Sequence, residues 1–161
     1  HGPMAAGKST TTKELMKKLK DYTLVDRAYL KDEMLRRVKK KDKTLAKKIS
    51  QDAMFLIVRK LMKHKYNILL QEVRITKVKK LLRKQIKAYG YDIKSFYVYC
   101  SVEEAKRRDE ARKEGYNPPR PDIIEEMHRL HANQDKEDIP INTEEMNIRK
   151  SINFILKEIS H

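Results

Sequence analysis

Apolar residues along this 161-residue chain follow two alternating periods. Short apolar runs at 22–26, 66–71, 95–100 and 139–142 are typical of buried parallel strands. Between them, apolar positions recur every three or four residues, as in amphipathic helices. This spacing predicts helices over 8–20, 30–39, 43–65, 75–89, 102–114, 122–134 and 144–159. Strands alternating with helices predict an α/β fold, a parallel sheet with helices on both faces.

The spacing also indicates which side chains face the core. In the 75–89 helix, Val78, Leu81, Leu82 and Ile86 are expected to point inward, and Gly90 is expected to end the helix. In the 43–65 helix, a set of apolar residues follows helical spacing: Leu45, Ile49, Ala53, Leu56, Ile57 and Leu61.

Composition narrows the class of protein. The length fits a single domain over 1–161. Lys and Arg number 38 against 23 Asp and Glu, a net charge of +15 that favours anionic partners, although solvated helix faces would also explain it. Cys100 is the only cysteine, and no targeting or membrane-spanning run is found, so a cytoplasmic protein without a membrane partner is expected.

The first residues carry the clearest motif. Gly2, Gly7, Lys8 and Ser9 fit the phosphate-binding P-loop pattern G-x-x-x-x-G-K-[ST]. Backbone N–H groups of such a loop converge on phosphate, the Lys reaches the β- and γ-phosphates, and the Ser hydroxyl binds Mg²⁺. The candidate nucleotide-binding residues are Gly2, Ala5, Ala6, Gly7, Lys8, Ser9 and Thr10. A strand should precede the loop, so we expect residues to be missing before His1, and short internal gaps are also conceivable.

Later residues favour a phosphotransferase. The chain has neither a D-x-x-G switch nor an N-K-x-D base-reading motif, which argues against a GTPase. The Arg-rich segment at about 102–121 is expected to be a lid. Arg108 and Arg112, four residues apart, would clamp the phosphates of ATP or GTP. The alternative is a solvated helix face on which Glu104 and Asp109 pair with the arginines.

Several segments together resemble a known family. The loop GPMAAGKST, the RAYLK that follows YTLVD, the segment YNILLQEVRIT and the Arg-bearing lid resemble the zeta-toxin and polynucleotide-kinase branch of P-loop kinases. The resemblance covers nearly the whole chain and is best over 66–101. It implies a kinase that uses Mg²⁺ and ATP or GTP. The acceptor would be a nucleotide sugar or a 5′-hydroxyl end of RNA or DNA, and an antitoxin or neighbouring domains are conceivable partners.

At the position of the general base, this chain differs from the family that it resembles. The resemblance places an Asp at position 28 and an Arg at position 31, where this chain has Ala28 and Lys31. Three explanations are open. Asp26 is the base, or the protein is a natural pseudo-kinase, or an original aspartate was replaced by Ala to give an inactive protein. We favour the third as a hypothesis, since such kinases can be toxic to the host that makes them. The native gene sequence would decide.

The resemblance also implies the acceptor-binding residues. Glu72 and Arg74 follow the YNILLQ strand and would contact the acceptor, with spacing one residue shorter than in the family, and Lys31 would assist. A charged pair at a strand end is the structural alternative. A non-catalytic nucleotide-binding module is the alternative function, and Ala28 is its main support.

Overall fold

The computed structural model describes residues 1–72, 75–111, 121–131 and 135–160, without the side chains of 75–77. Helices and strands alternate in the α/β order that the sequence predicts. The elements are α1 (Lys8–Met16), β1 (Tyr22–Asp26), α2 (Arg27–Tyr29), a π-helical turn (Leu30–Met34), α3 (Arg36–Lys41), α4 (Lys43–Lys63), β2 (Asn67–Gln71), α5 (Ile75–Tyr89), β3 (Ser95–Tyr99), α6 (Val102–Glu110), α7 (Pro121–Leu130), β4 (Asp138–Asn142) and α8 (Ile148–Ile159).

The chain divides into two compact units. The first, here called the P-loop unit, comprises His1–Leu15 and Ile93–His161, and the second, the central unit, comprises Met16–Asp92. Strands β3 and β4 pair in parallel in the P-loop unit, and β1 and β2 pair in parallel in the central unit. The predicted α/β class with parallel strands is therefore confirmed.

Each unit has its own core. In the P-loop unit, residues of the first loop pack with α6 and α7 through a cluster of small and apolar side chains: Ala5, Ala6, Cys100, Ala105 and Ile124. In the central unit, β1 packs against α4 and α5 through Val25, Met54, Val58, Met62, Val78 and Leu82. These cores fix the carboxyl ends of the strands, where chemistry-bearing side chains of α/β proteins usually lie.

Two helices differ from the predicted packing. On α4 the buried positions are Ala46, Ser50, Met54, Val58 and Met62. Four residues of the predicted pattern are exposed instead: Leu45, Ile49, Leu56 and Ile57. On α5, Leu81 was predicted to face inward and is 51% exposed, so that prediction was wrong. Val78 and Leu82 define the buried face of α5, and Leu81 lies about 100° round the helix from Leu82.

Capping side chains set several helix boundaries. Asn147 accepts a hydrogen bond from the Lys150 amide at 3.0 Å, so α8 begins at Ile148 rather than near 144. Asp42 accepts from the Leu45 amide at 2.8 Å and starts α4. The predicted 30–39 helix is instead a π-helical turn followed by α3, and helical structure begins earlier, at Arg27, because Asp26 caps it.

Candidate functional site

The first loop of the chain lies directly on strand β3. The Val98 amide donates to the His1 carbonyl at 2.8 Å, and the His1 nitrogen donates to the Phe96 carbonyl at 2.9 Å. Gly2 has a φ of +142°, and a Cβ at this position would lie 2.0 Å from the Val98 carbonyl oxygen. Only glycine therefore allows this approach to β3, which explains the first glycine of the P-loop motif.

The loop continues in left-handed conformations into helix α1. Ala5 has a φ of 56° and Gly7 a φ of +89°. The Thr11 amide and hydroxyl both donate to the Gly7 carbonyl, at 2.9 and 3.1 Å, and fasten the loop to the first turn. Such a loop aims backbone N–H groups at one point in front of a helix N-terminus, which is the geometry of an anion site.

Three predicted phosphate-site side chains begin α1. The Lys8 ammonium donates to the Pro3 carbonyl, so this side chain lies over the loop backbone. Ser9 and Thr10 are exposed in the first turn. Among the described residues, no three His, Cys, Asp or Glu side chains form a group that could hold a metal ion. A hydroxyl that supplies one ligand, with the rest from phosphate and water, fits the way proteins bind Mg²⁺.

Arg108 is fixed beside this loop by helix α6 and by the residue after strand β4. Its Nε donates to Glu104 Oε1 at 2.7 Å, its Nη1 to Thr143 Oγ1 at 2.8 Å, and its Nη2 to the Thr143 carbonyl at 2.9 Å. A Cβ built on Gly7 would lie 3.6 Å from Arg108 Nη1. The guanidinium is therefore next to the P-loop.

Thr143 connects this arginine to the loop and the sheet. Its amide donates to the Tyr99 carbonyl at 2.8 Å, and its hydroxyl lies 3.0 Å from the Ala6 carbonyl and 3.1 Å from that of Tyr99. The hydroxyl can thus accept from Arg108 while it donates to one of the two carbonyls. Thr143 was not predicted from the sequence. Its signal was a polar residue directly after the predicted strand at 139–142.

The second arginine predicted for the lid, Arg112, is not among the described residues. Arg120 and Arg74 lie outside them as well. Arg107 pairs with Glu104, through hydrogen bonds of 2.7 Å from Nε and from Nη2. The hydrogen bonds from Arg107 and Arg108 lower the pKa of Glu104 to about 2. Glu104 therefore stays ionised and orients Arg108 over the pH range in which proteins are usually handled.

His128 on α7 is a second contact that the sequence did not reveal. Its Nε2 lies 3.1 Å from the Met4 carbonyl of the loop. Burial lowers the pKa of His128, which favours the neutral ring, and the nearby Lys8 acts in the same direction. A neutral imidazole with a proton on Nε2 can donate to the Met4 carbonyl, so His128 helps to hold the P-loop.

The central unit holds the predicted acceptor-side residues. Asp26, the last residue of β1, accepts from the Ala28 amide at 2.8 Å and the Tyr29 amide at 3.2 Å through Oδ1. Its Oδ2 accepts from Gln71 Nε2 at 2.9 Å. Burial raises the pKa of Asp26. Asp26 is thus both a helix cap and a carboxylate that holds its proton more strongly than usual.

Glu72, which follows β2, pairs with Arg27, which follows β1. Arg27 Nη2 donates to Glu72 Oε1 at 2.9 Å, and Arg27 Nε donates to Oε2, so the pair is bidentate. The Glu72 side chain is 4% exposed. Strands β1 and β2 bring Asp26, Gln71, Arg27 and Glu72 together because Asp26 and Gln71 are register partners. The acceptor-binding role of Glu72 stays a prediction, and its pairing with Arg27 was not predicted from the sequence.

Ala28 and Lys31 occupy the helical segment after β1. Ala28 is exposed, and its methyl group can neither accept a proton nor orient a hydroxyl. Lys31 Nζ lies 3.4 Å from Asp32 Oδ1, a carboxylate that Lys39 also approaches, at 2.8 Å. The segment therefore places one cation, Lys31, three residues after the position where the family resemblance implies a base.

A family model identifies the chain. It is described as an AAA domain (AAA_33), and it matches residues 1–139. The chain belongs to this family. No curated protein matches the chain in sequence. The AAA_33 match agrees with the P-loop at residues 2–9, although it does not separate the zeta-toxin and polynucleotide-kinase branch from other members.

Three solved structures share the AAA_33 protein's fold. A proposed kinase of Chloroflexus aurantiacus has a TM-score of 0.70 and 11% identity, over 97% of this chain and 91% of that one. The tunicamycin resistance protein of Deinococcus radiodurans has a TM-score of 0.66 and 12% identity, over 99% and 92%. Deoxyadenosine kinase of M. mycoides, solved with bound dATP, has a TM-score of 0.57 and 19% identity, over 100% and 97%. The fold is that of P-loop kinases.

Across the described ranges, no helix is both long enough and apolar enough to cross a lipid bilayer.

Proposed function

We propose that this AAA_33 protein is a kinase that transfers the γ-phosphate of ATP or GTP to a hydroxyl group of an anionic acceptor. The observation that supports the proposal most is the position of Arg108 beside the P-loop, held by Glu104 and Thr143. A guanidinium there can bind the phosphates of the nucleotide, as a binding module would also require. A guanidinium at that place can stabilise charge that develops on the transferring phosphoryl group.

The phosphate side of the reaction would use residues of the P-loop unit. Backbone N–H groups of the P-loop would hold the β-phosphate, with candidates at Gly2, Ala5, Ala6, Gly7, Lys8, Ser9 and Thr10. Lys8 would leave the Pro3 carbonyl to reach the β- and γ-phosphates. Ser9 would be the protein ligand of Mg²⁺, which neutralises phosphate charge when it is bound. Arg112 would assist Arg108 from the lid.

The acceptor side would use residues of the central unit. Lys31, Glu72 and Arg74 would bind the acceptor, and the base would come from position 28 or from Asp26. Asp26 is the only one of these two with a carboxylate, and its raised pKa suits a proton acceptor. The acceptor would be a nucleotide sugar, as in zeta toxins, or a 5′-hydroxyl nucleic-acid end, as in polynucleotide kinases.

A second function is favoured by the same residues. Ala28 carries no acceptor group, and both oxygens of Asp26 already accept hydrogen bonds. A general base is therefore absent at position 28, and the carboxylate of Asp26 is already engaged in hydrogen bonds. The alternative is a nucleotide-binding module without catalysis, in which the P-loop unit binds Mg-nucleotide and no phosphate is transferred.

The experiment compares Ala28→Asp with Ala28→Asn, a matched control of similar size that cannot accept a proton. Both are incubated with Mg²⁺, γ-labelled ATP or GTP, and either 5′-hydroxyl RNA, 5′-hydroxyl DNA or UDP-N-acetylglucosamine. We expect label on one acceptor with Ala28→Asp and a rate about 10²- to 10⁴-fold lower with Ala28→Asn, the usual contribution of a general base.

Other outcomes separate the remaining explanations. Equal transfer by both variants and by the parent protein, abolished by Asp26→Asn, would make Asp26 the base. Nucleotide binding without label on any acceptor, in every variant, would overturn the proposed kinase activity in favour of the non-catalytic module.

A further inference from the structure

Charge is divided unequally between the two units. The central unit, Met16–Asp92, contains 24 Lys and Arg and 8 Asp and Glu, which gives +16. The P-loop unit contains the other 14 Lys and Arg and 15 Asp and Glu, which gives −1. The central unit thus accounts for all of the positive net charge of +15. Even if each of its eight carboxylates neutralised one cation, sixteen cations would remain.

Helix α5 concentrates this charge on one face. Lys80, Arg83, Lys84 and Lys87 are spaced i, i+3, i+4 and i+7, and all four are exposed. The sequence of α5 contains no acidic residue, so no intrahelical ion pair relieves their repulsion. Like charges four residues apart destabilise a helix by about 0.2–0.5 kcal/mol per pair. A face that was only solvated would be more stable with acidic residues interspersed.

Helices α3 and α4 of the central unit are also rich in basic residues. Helix α3, with the sequence RRVKKK, also has no acidic residue, and α4 has only Asp52. Several acidic side chains of the central unit are already engaged: Asp26 and Asp42 cap helices, Asp32 and Glu33 pair with neighbouring cations, and Glu72 pairs with Arg27. The central unit therefore has a surface with many unneutralised positive charges, which favours a polyanion as its partner.

We infer that the basic face of α5, together with α3 and α4, binds the phosphate backbone of a single-stranded nucleic acid, whose 5′ end is the acceptor. This inference rests on the proposed function, because it names the acceptor class of the same site. A nucleotide sugar has too few phosphates to engage a surface of this size. The acceptor-side residues Asp26, Ala28, Lys31 and Glu72 belong to the same basic unit.

The packing of α5 argues against an anionic membrane as the partner. An interfacial helix must bury its apolar face in lipid. On α5, Val78 and Leu82 are 5% and 4% exposed in the core, and Leu81 is the one large apolar side chain that is exposed among its described residues 78–89. Tyr29, beside Ala28, is 59% exposed and offers a ring on which a terminal base can stack.

The test measures binding without any need for transfer. Fluorescence anisotropy follows a labelled 5′-hydroxyl RNA of about 12 nucleotides, a length in the range of single-strand sites. The parent protein is compared with Lys80→Gln/Arg83→Gln/Lys84→Gln/Lys87→Gln. The matched control removes four exposed cations from the P-loop unit: Arg129→Gln/Arg149→Gln/Lys150→Gln/Lys157→Gln. Both variants lose the same charge. Circular dichroism checks that each is folded.

The expected result follows from counterion release. For single strands, log K falls with log salt with a slope of about −0.7 per phosphate contact, so four contacts give about 50-fold weaker binding between about 50 and 200 mM salt. The α5 variant should reduce this slope by up to about 3 and weaken binding at least about tenfold at low salt. The control variant should bind nearly as the parent protein does.

Three results would overturn the inference. One is equal weakening by both variants, which would reduce the effect to net charge. Another is the absence of RNA binding at low salt. The third is binding to vesicles that contain anionic phospholipid, lost in the α5 variant, without binding to RNA. Mg-ATP binding, measured on the same samples, separates this from the proposed function: its absence would argue against the kinase whether or not RNA binds.

Discussion

The close approach of Gly2 to strand β3 gives a prediction that can be worked out in magnitude. Gly2→Ala would place a Cβ 2.0 Å from the Val98 carbonyl oxygen, and this is a backbone atom of a buried strand that cannot turn aside. The loop must therefore move away from β3. Movement breaks the 2.8 Å hydrogen bond from the Val98 amide to the His1 carbonyl.

Two costs add up at this position. A non-glycine residue with the φ of Gly2 costs about 1–3 kcal/mol of backbone strain. Leaving the buried Val98 amide without its acceptor costs about another 1–3 kcal/mol. We expect Gly2→Ala to lower the free energy of unfolding of the P-loop unit by about 2–6 kcal/mol, a large share of the stability of an ordinary domain.

Two other glycines provide matched controls. Gly7 has a φ of +89°, and its added Cβ would meet only ordinary contacts, the first at 3.6 Å from Arg108 Nη1. Gly90 has a φ of +68° and nothing within 4 Å of an added Cβ. Both substitutions should cost only left-handed strain, about 1–2 kcal/mol each. Gly7→Ala should also weaken Mg-nucleotide binding, because Gly7 belongs to the P-loop, whereas Gly90→Ala should not.

Urea denaturation and hydrogen exchange check this series. Gly2→Ala should have the lowest denaturation midpoint, and exchange of the Val98 amide should accelerate in this variant alone. If the three substitutions lower the midpoint equally, or if the Val98 amide stays protected in Gly2→Ala, the argument that β3 requires glycine at this position is refuted.

Two further predictions concern the site. Thr143→Val keeps the side-chain volume but removes the hydroxyl that accepts from Arg108 Nη1 at 2.8 Å, a charge-assisted bond worth about 1.5–3 kcal/mol. We expect about tenfold or greater loss of Mg-ATP affinity by calorimetry, while Thr143→Ser binds as the parent protein does; equal binding by Val and Ser would exclude the hydroxyl as an anchor. Asp26→Asn removes a half-buried carboxylate whose pKa is raised by partial burial. Ionisation of this carboxylate in the folded parent protein therefore lowers its stability as the pH rises through the raised pKa. The variant should therefore gain stability relative to the parent protein as the pH rises, with the smallest gain below the unfolded pKa of about 4. This requires the Gln71 amide to turn so that its oxygen accepts from Asn. Denaturation midpoints at several pH values measure the difference, and a difference that does not change with pH contradicts the prediction.

Local sequence patterns, which span only a few neighbouring residues, were enough to predict much of the fold. The four apolar runs became β1 to β4, and the helix over 75–89 was predicted with the bounds that α5 has. The P-loop was evident because its chemistry requires Gly, Lys and Ser at fixed spacing. Boundaries were less certain where a polar side chain caps a helix, as Asn147 does for α8, since periodicity does not reveal whether such a side chain reaches back to the backbone.

The sequence by itself determined the alternation of strands and helices, the phosphate-binding loop and the excess of positive charge, because each depends on residue types and local spacing. Only the tertiary structure decided that Thr143 holds Arg108 beside the loop and that Arg27 pairs with Glu72. These contacts join residues 35 and 45 positions apart. Distances of that kind depend on how strands pair and helices pack, which no local pattern encodes.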